Sequence, residues 1–258
     1  MIWMRRAYSL YVLICFSLVF LLLMPFFFIA IQLNHRGKVV FFINRIWAVA
    51  FFAMIGMPNR YYYREKLKSN QNYIFCANHF SYLDIPILGR IPNDAIYVGK
   101  SSLSKIPVFG YMFRRIHLGV NRENPKSFYT LLERAKEALD HGKSLIIFPE
   151  GGIMAKNPPE MARFKDGAFR LAIEKQAPIV PVIIPYNWLI LPDDDTFAMR
   201  WHKSVVIFEK PVATEGLTLD DLPKLKEQVY QIIDQELRKL SHENRQRYAP
   251  QIGTPGQA

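Results

Sequence analysis

Hydrophobic positions divide the chain into an apolar N-terminal segment and a longer segment of short apolar runs. The first run, residues 7–33, contains no charged residue. It exceeds the roughly 20 residues that cross a bilayer core, and membrane helices tolerate a proline such as Pro25. A second run, residues 39–57, is interrupted by Asn44 and Arg45. The pattern predicts a membrane-associated hairpin of two helices, the second of which is interfacial, re-entrant or a second span.

The start of the first run also resembles a signal peptide, because Arg5 and Arg6 precede it. Its apolar part is longer than that of a signal peptide, and no small-residue cleavage site follows it. We therefore expect an anchor that stays on the protein.

After the hairpin, short apolar runs rich in Ile, Val and Phe alternate with helical patterns. The predicted strands are 73–77, 95–99, 116–120, 144–149, 179–184 and 204–209, and the predicted helices are 84–90, 125–141, 164–176 and 218–241. Consecutive apolar residues, as in 144–148, are typical of strands buried on both faces. The expected fold is an α/β domain with a mostly parallel or mixed sheet flanked by helices. The expected organisation is a hairpin over 1–60, this domain over 61–245 and a flexible tail over 246–258.

Composition and charge narrow the class of protein. The chain of 258 residues has a formal net charge of +11, and no acidic residue precedes Glu65. Cations flank the apolar runs, at Arg5, Arg6, Arg36, Lys38, Arg45 and Arg60. Each such residue contributes about 1 kcal/mol to binding an anionic lipid surface. With no nucleic-acid motif visible, the basic charge favours membrane lipids over nucleic acid as the partner.

The chain has two cysteines, Cys15 and Cys76, which are too few for a disulfide framework. This favours a reduced, cytosol-facing domain. No cluster of side chains has metal-ligand spacing, so we expect no metal.

The segment NHFSYLD, residues 78–84, places His79 and Asp84 five positions apart after a predicted strand. On a regular helix, residues five apart point about 140° away from each other, so the chain must turn for Asp84 to hold the imidazole. Ser81 can cap a helix, Asp84 has capping-box spacing from it, and Pro86 suits a first turn. The pair predicts a general base that removes a proton from a hydroxyl. The alternative is that Asp84 only caps the helix and His79 is a loop histidine.

Other conspicuous residues also follow the ends of predicted strands: Lys100, Arg122, Glu150, Gly151 and Gly152. Ligands of open α/β sheets bind beyond the carboxyl ends of the strands, so these residues are expected beside His79. Each has a plainer alternative. Lys100 can be a solvated surface lysine, Arg122 can pair with a neighbour, and the glycines can serve only a turn.

On these residues the chain resembles the glycerolipid acyltransferase family, whose bacterial members include 1-acyl-glycerol-3-phosphate acyltransferases. The resemblance covers roughly residues 65–215. Its blocks are NHxxxxD at 78–84, a lysine after the next strand at Lys100, an arginine at Arg122, FPEGGI at 148–153 and a proline-bearing apolar strand at 179–182. The order and spacing of the blocks make chance agreement unexpected.

The resemblance implies transfer of an acyl group to the free hydroxyl of a lysophospholipid, giving phosphatidic acid. His79 would act as the base and Asp84 would hold its imidazole. The residues expected to bind substrate are Asn78, Lys100, Arg122, Glu150, Gly151 and Gly152. The acyl donor would be acyl-CoA or acyl carrier protein (acyl-ACP), with no cofactor. The location implied is the cell membrane, in bacteria the inner membrane, with the domain facing the cytoplasm.

One departure from the family concerns the acceptor. The usual Thr-Arg of the third block is replaced by Gly152 and Ile153. Another cation can substitute for the missing arginine, with Lys156, Arg163 and Lys165 as candidates. Alternatively, the acceptor is another lyso-lipid, such as a lyso-ornithine or lyso-glycine lipid. Two rival functions stay open at this point: a non-catalytic lipid-binding module, and a lipid hydrolase in which the histidine activates water.

Overall fold

The computed structural model describes residues 2–33, 37–121, 124–194 and 196–248. The strands are β1 (Asn59–Tyr63), β2 (Ile74–Ala77), β3 (Ala95–Lys100), β4 (Leu118–Val120), β5 (Ser144–Ile147), β6 (Ile179–Ile183) and β7 (Ser204–Phe208). The α-helices are α1 (Ile2–Gln32), α2 (Lys38–Met54), α3 (Asp84–Ile87), α4 (Phe109–Ile116), α5 (Pro125–Asp140), α6 (Gly167–Glu174), α7 (Asn187–Ile190) and α8 (Leu222–Tyr248). Short 3₁₀ helices cover Leu88–Arg90, Ser101–Lys105 and Leu219–Asp221.

The seven strands form one sheet in the order β1-β7-β6-β2-β5-β3-β4. All neighbours are parallel except β6 and β7, which are antiparallel. In the centre, Cys76 of β2 lies opposite Ile147 of β5 and Pro181 of β6. The central strands are apolar at consecutive positions because helices cover both faces. The predicted fold class, a mostly parallel mixed sheet flanked by helices, is confirmed.

The two faces of the sheet lie in two apolar clusters. On one face, Ile74 and Leu145 belong to a cluster that also contains buried residues of α5, α6 and α8. On the other, Phe75 and Ile146 belong to a cluster with buried residues of α2, α3 and α7. Successive strand residues enter opposite clusters because side chains alternate across a strand. The helices cover the two faces of the sheet, and the loops that follow the strands lie at its carboxyl edge.

The N-terminal helices pack on this sheet domain. Among the described helices, only α1 is long and apolar enough to cross a membrane, and its 31 residues span about 46 Å at 1.5 Å per residue. Phe27 of α1 and Phe51 of α2 are each 1% exposed. Ser9 of α1 accepts a hydrogen bond from the Met199 backbone N–H at 2.8 Å. The hairpin and the sheet therefore share apolar cores, which the sequence-based division at residue 60 does not convey.

The opposite face of α1 remains apolar. Large exposed side chains include Leu10, Leu13, Ile14, Leu18, Leu21, Leu22, Phe26 and Ile29. A helix that is apolar on both its packed face and its exposed face is suited to contact with lipid.

Several element boundaries differ from the predictions. β1, α4 and α7 have no predicted counterpart, because the sequence of β1, NRYYY, lacks an apolar run and the helices are short. β1 starts at Asn59, before the predicted domain boundary at 61. The predicted strand 116–120 begins at Leu118, since Ile116 closes α4. α8 continues to Tyr248, so the predicted tail begins as helix, and residues 249–258 lie outside the described residues.

Candidate active site

The turn after β2 places His79 at the carboxyl edge of the sheet. The imidazole is 8% exposed and stacks on Phe148, with ring centroids 4.0 Å apart. Its Nδ1 lies 3.1 Å from Asp84 Oδ2. Because an ionised carboxylate can only accept, this contact assigns the proton to Nδ1 and leaves the lone pair on Nε2. Nε2 is therefore the atom that can take a proton from a substrate hydroxyl.

Asp84 holds the imidazole and shapes the loop at the same time. It is 0% exposed, and Oδ2 also accepts the backbone N–H groups of Phe80 and Ser81, each at 2.8 Å. This is one half of the predicted capping box. The other half is absent, since the Ser81 hydroxyl accepts from Leu83 N at 3.2 Å and donates to Leu191 O at 2.8 Å. The oxygen that contacts the histidine thus also bonds the loop before α3, whereas α3 itself begins after Leu83 with no side-chain cap bond.

Asn78 anchors this loop to β6. Its Nδ2 donates to Ile184 O at 3.0 Å, and its Oδ1 accepts from Ile184 N at 2.8 Å. The residue is 0% exposed. The amide is therefore buried and bonded to backbone, and the predicted contact of Asn78 with substrate stays a prediction.

Glu150 is held by backbone groups in a similar way. Its Oε1 accepts the backbone N–H of His79 at 2.8 Å, and its Oε2 accepts that of Ala162, also at 2.8 Å. The residue is 2% exposed, so the carboxylate joins the histidine loop to the loop at 161–165. Its predicted contact with substrate stays a prediction.

Burial raises the pKa of Glu150 to about 7, the two backbone donors oppose this shift, and the charge of Asp84 adds to it. A carboxyl group that titrates near neutrality one hydrogen bond from a candidate base is typical of a functional site.

The sheet order brings the other predicted site residues to the same edge. β2, β5 and β3 are adjacent and parallel, so their carboxyl ends, with His79, Glu150 and Lys100, lie side by side. Lys100 is exposed at the end of β3. Arg122 lies outside the described residues, and its predicted role stays a prediction.

Gly151 and Gly152 follow Glu150 and are half-buried. Gly151 has a φ of 84°, and a Cβ placed on it would lie 2.8 Å from Lys165 Nζ. The positive φ favours glycine there. The close approach also shows that the ammonium of Lys165, one of the three candidate substitutes for the missing arginine, lies over the third block. We call the exposed residues Lys100, Arg163 and Lys165 the cationic rim.

Two buried residues of the site were missed from sequence. Asn187 donates from Nδ2 to Asp84 Oδ1 at 2.9 Å, and the Ser204 hydroxyl donates to Asn187 Oδ1. Both residues are more than 100 positions from Asp84 in the chain, and neither belongs to a family block. Their only sequence signal is a polar residue at the start of an apolar helix or strand, which is too common to single them out.

Among the described residues, the site contains a candidate base, His79, and neither its cysteine nor its loop serine has the features of an activated nucleophile. Cys76 is 0% exposed inside β2, and burial raises the pKa of its thiol far above the ordinary value. Ser81 is also 0% exposed, with its hydroxyl bonded to backbone. The arrangement is suited to activating a hydroxyl that a substrate brings.

Known proteins resemble this chain along most of its length. Residues 59–185 match the family model described as Acyltransferase. The 1-acyl-sn-glycerol-3-phosphate acyltransferase of Saccharomyces cerevisiae is 31% identical over 193 residues, which cover 73% of this chain and 63% of the yeast protein. The protein of the same name from Haemophilus influenzae is 26% identical over 204 residues, which cover 76% of this chain and 81% of that protein.

The fold has a solved counterpart in the 1-acyl-sn-glycerophosphate acyltransferase PlsC from Thermotoga maritima. The TM-score is 0.74 at 21% identity, and the match covers 92% of this chain and 98% of that chain. The chain spans between 50% and 63% of the length of four of the curated relatives, from yeast, an alga and two plants.

Proposed function

Since residues 59–185 form a domain of the acyltransferase family, we propose that this chain is an O-acyltransferase acting on a lysophospholipid. The acceptor is 1-acyl-glycerol-3-phosphate and the product phosphatidic acid. The observation that carries the proposal is the buried His79–Asp84 pair, with Nε2 free for proton transfer at the carboxyl edge of the sheet. The names of the relatives from yeast and Haemophilus influenzae support the choice of acceptor.

The reaction is a direct transfer. His79 Nε2 takes the proton of the acceptor hydroxyl as its oxygen attacks the thioester carbonyl carbon of acyl-CoA or acyl-ACP. The tetrahedral intermediate collapses, the carbon–sulfur bond breaks, and the thiolate takes the proton back from the imidazolium. An ester and a free thiol result, with no change in redox state. A positioned base contributes typically 10²–10⁴-fold, and Asp84 stabilises the imidazolium formed in between.

Acceptor binding is assigned to cations at the rim. Lys100 ends β3, and Lys165 lies over Gly151, which follows the glutamate that holds the His79 backbone. Both are exposed, so they can reach a phosphate at the surface by charge-assisted hydrogen bonds. Lys165 takes the place of the arginine that the third block lacks. Arg122 is assigned to the same phosphate on the family resemblance.

The N-terminal helices support a location of this site at a membrane. The exposed apolar face of α1 and the cations at Arg5 and Arg6 suit an anionic lipid surface. A site held there avoids moving acyl chains into water, which costs about 0.8 kcal/mol per CH₂ group. We assign the chain to the cell membrane with the sheet domain on the cytoplasmic side.

The test is a product assay with purified protein in detergent. Acyl-CoA or acyl-ACP is supplied with lysophosphatidic acid or with lyso-ornithine lipid, and ester product and free fatty acid are both quantified. We expect phosphatidic acid from the wild type and from His141→Ala, a matched surface control. His79→Ala should lose at least about 10³-fold in turnover, with an unchanged melting temperature.

Other outcomes would replace the proposal. Free fatty acid without ester would indicate a hydrolase. Ester formed only with the phosphate-free acceptor would move the acceptor to an amino-acid lipid. No product with any pair of substrates would indicate a lipid-binding module, and near-normal turnover of His79→Ala would remove the histidine as the base.

A further inference from the structure

Buried hydrogen bonds extend from Asp84 on the side away from the imidazole. Asn187 Nδ2 donates to Asp84 Oδ1 at 2.9 Å, and the Ser204 hydroxyl donates to Asn187 Oδ1. Asn187 is 1% exposed and Ser204 is 0% exposed. The three residues are the first residues of α3, α7 and β7. Three separate elements therefore meet behind the base.

We propose that Asn187 is a positioning residue for the His79–Asp84 base and that Ser204 holds its amide in place. The inference rests on the proposed function, since it assigns these residues a part in proton transfer. Neither side chain contacts the imidazole, so both act through Asp84.

The reason lies in how the two carboxylate oxygens are used. Oδ2 already receives the imidazole N–H and two backbone N–H groups, from Phe80 and Ser81. Oδ1 receives Asn187. A bond at each oxygen fixes the rotation of the carboxylate about its Cβ–Cγ bond and keeps Oδ2 facing Nδ1. Losing the bond at Oδ1 would leave a buried charged oxygen without a donor, which is strongly unfavourable.

The Asp84 carboxylate makes this arrangement directional. An asparagine amide can turn over and exchange its oxygen and nitrogen, but an ionised carboxylate only accepts, so the NH₂ group of Asn187 is the end that meets Asp84. The Ser204 hydroxyl donates to the amide oxygen on the other side, and its backbone N–H is bonded to Pro58 O at 3.0 Å. Ser204 therefore holds the amide in this orientation.

Titratable groups around this chain of bonds are few among the described residues. His79 is hydrogen-bonded to Asp84, and Glu150 lies close enough to Asp84 for the charge of Asp84 to raise the pKa of Glu150. His202, just before β7, contacts the Tyr186 ring at 5.7 Å between centroids. These groups are present in the wild type and in both Asn187 variants, so each variant is compared with the wild type by the ratio of variant to wild-type kcat.

The experiment compares Asn187→Asp with Asn187→Leu, measuring kcat and KM from about pH 5.5 to 8.5. At low pH the new carboxyl of Asn187→Asp is protonated, and its O–H can replace the amide donor. At high pH two carboxylates would face each other and repel. We expect the kcat ratio of Asn187→Asp to fall about 10- to 100-fold as pH rises, with KM unchanged. Asn187→Leu should show a loss of that size at every pH.

A purely structural asparagine would give a different result. The two variants would then show the same pH-independent ratio, or Asn187→Leu would keep wild-type kcat, and either outcome overturns the proposal. Ser204→Ala provides a milder variant if Asn187→Leu fails to fold, and we expect a several-fold loss of kcat with KM unchanged. Wild-type kcat in Ser204→Ala would remove Ser204 from the proposal.

A spectroscopic readout separates this proposal from the proposed function. The proton on His79 Nδ1 should give a downfield NMR resonance, assigned by its loss in His79→Ala. We expect it to shift or vanish in Asn187→Leu and to persist in Asn93→Leu, a buried asparagine that bonds to Lys68 O and Gln71 O. An unchanged resonance in Asn187→Leu contradicts the positioning role. Absence of ester formation by the wild type contradicts only the transfer reaction.

Discussion

The base loop, residues 78–84, and the cationic rim lie at one edge of the sheet but are held in opposite ways. In the base loop, Asn78, Ser81 and Asp84 are each 0% exposed and bonded to backbone or to buried side chains. The rim residues Lys100, Arg163 and Lys165 are exposed. Proton transfer needs a fixed geometry, because a small displacement of the base is costly. Recognition of a lipid phosphate tolerates long side chains that close on the ligand.

This difference in burial predicts that variants of the two regions change different kinetic constants. Changes in the base loop should lower kcat and leave KM unchanged, whereas changes in the rim should raise KM for the acceptor and leave kcat unchanged.

Asp84→Asn should give the largest effect within the base loop. The amide keeps the shape of the side chain but carries no charge to stabilise the imidazolium, so we expect kcat to fall about 10³-fold with KM within about threefold. Steady-state kinetics with lysophosphatidic acid measures both. The matched control is Asp140→Asn, which removes an exposed carboxylate paired with Lys175. A large rise in KM at unchanged kcat would reduce Asp84 to a helix cap.

Lys165→Ala should show the reverse behaviour. Loss of one charge-assisted hydrogen bond to the acceptor phosphate should raise KM about 10-fold, with kcat within about threefold. Lys165→Arg should recover most of the affinity, and Arg122→Ala should resemble Lys165→Ala. Lys175→Ala, on a lysine paired with Asp140, is the control. If KM for lysophosphatidic acid stays at the wild-type value, Lys165 does not bind the acceptor and the rim is not its phosphate site.

Glu150 joins the two regions. Its replacement by glutamine should give the smallest effect, which is a change in stability. Its pKa in the fold, about 7, exceeds the ordinary 4.5. The stabilisation it provides is therefore fully present below pH 4.5 and is lost as pH rises through about 7. We therefore expect the melting temperature of the wild type, relative to that of Glu150→Gln, to fall by a few °C between about pH 5 and pH 8. The conversion used is about 2–4 °C per kcal/mol of unfolding free energy.

Thermal denaturation of both proteins in one detergent measures this shift. Glu160→Gln, an exposed glutamate near the same loop, serves as the control and should follow the wild-type trend. Parallel curves for wild type and Glu150→Gln would show that Glu150 does not titrate in this range and only bonds the two loops.

The fold was largely predictable because its signals are local. Apolar runs located the six strands β2 to β7 to within a few residues, and the uncharged run at the N-terminus located α1. β1 was not predictable, because an edge strand that pairs only with β7 needs no apolar run. α4 was missed because eight residues with two arginines at the end give too short a helical pattern.

The site was predictable in part for the same reason. His79 and Asp84 are five residues apart, so their meeting follows from a local turn. The hydrogen bonds of Asn78 and Glu150 were not predictable, since their partners, Ile184 and the backbone N–H groups of His79 and Ala162, are distant in the chain or belong to another loop.

The amino-acid sequence alone identified the candidate site residues and predicted that they follow strands, because residue type and short-range periodicity can be read along the chain. The tertiary structure alone decided what supports them. Asn187 meets Asp84 across 103 residues, and Ser204 reaches Asn187 only because β7 enters the sheet antiparallel beside β6. Such contacts depend on strand order, and strand order is set by how all the apolar faces pack together.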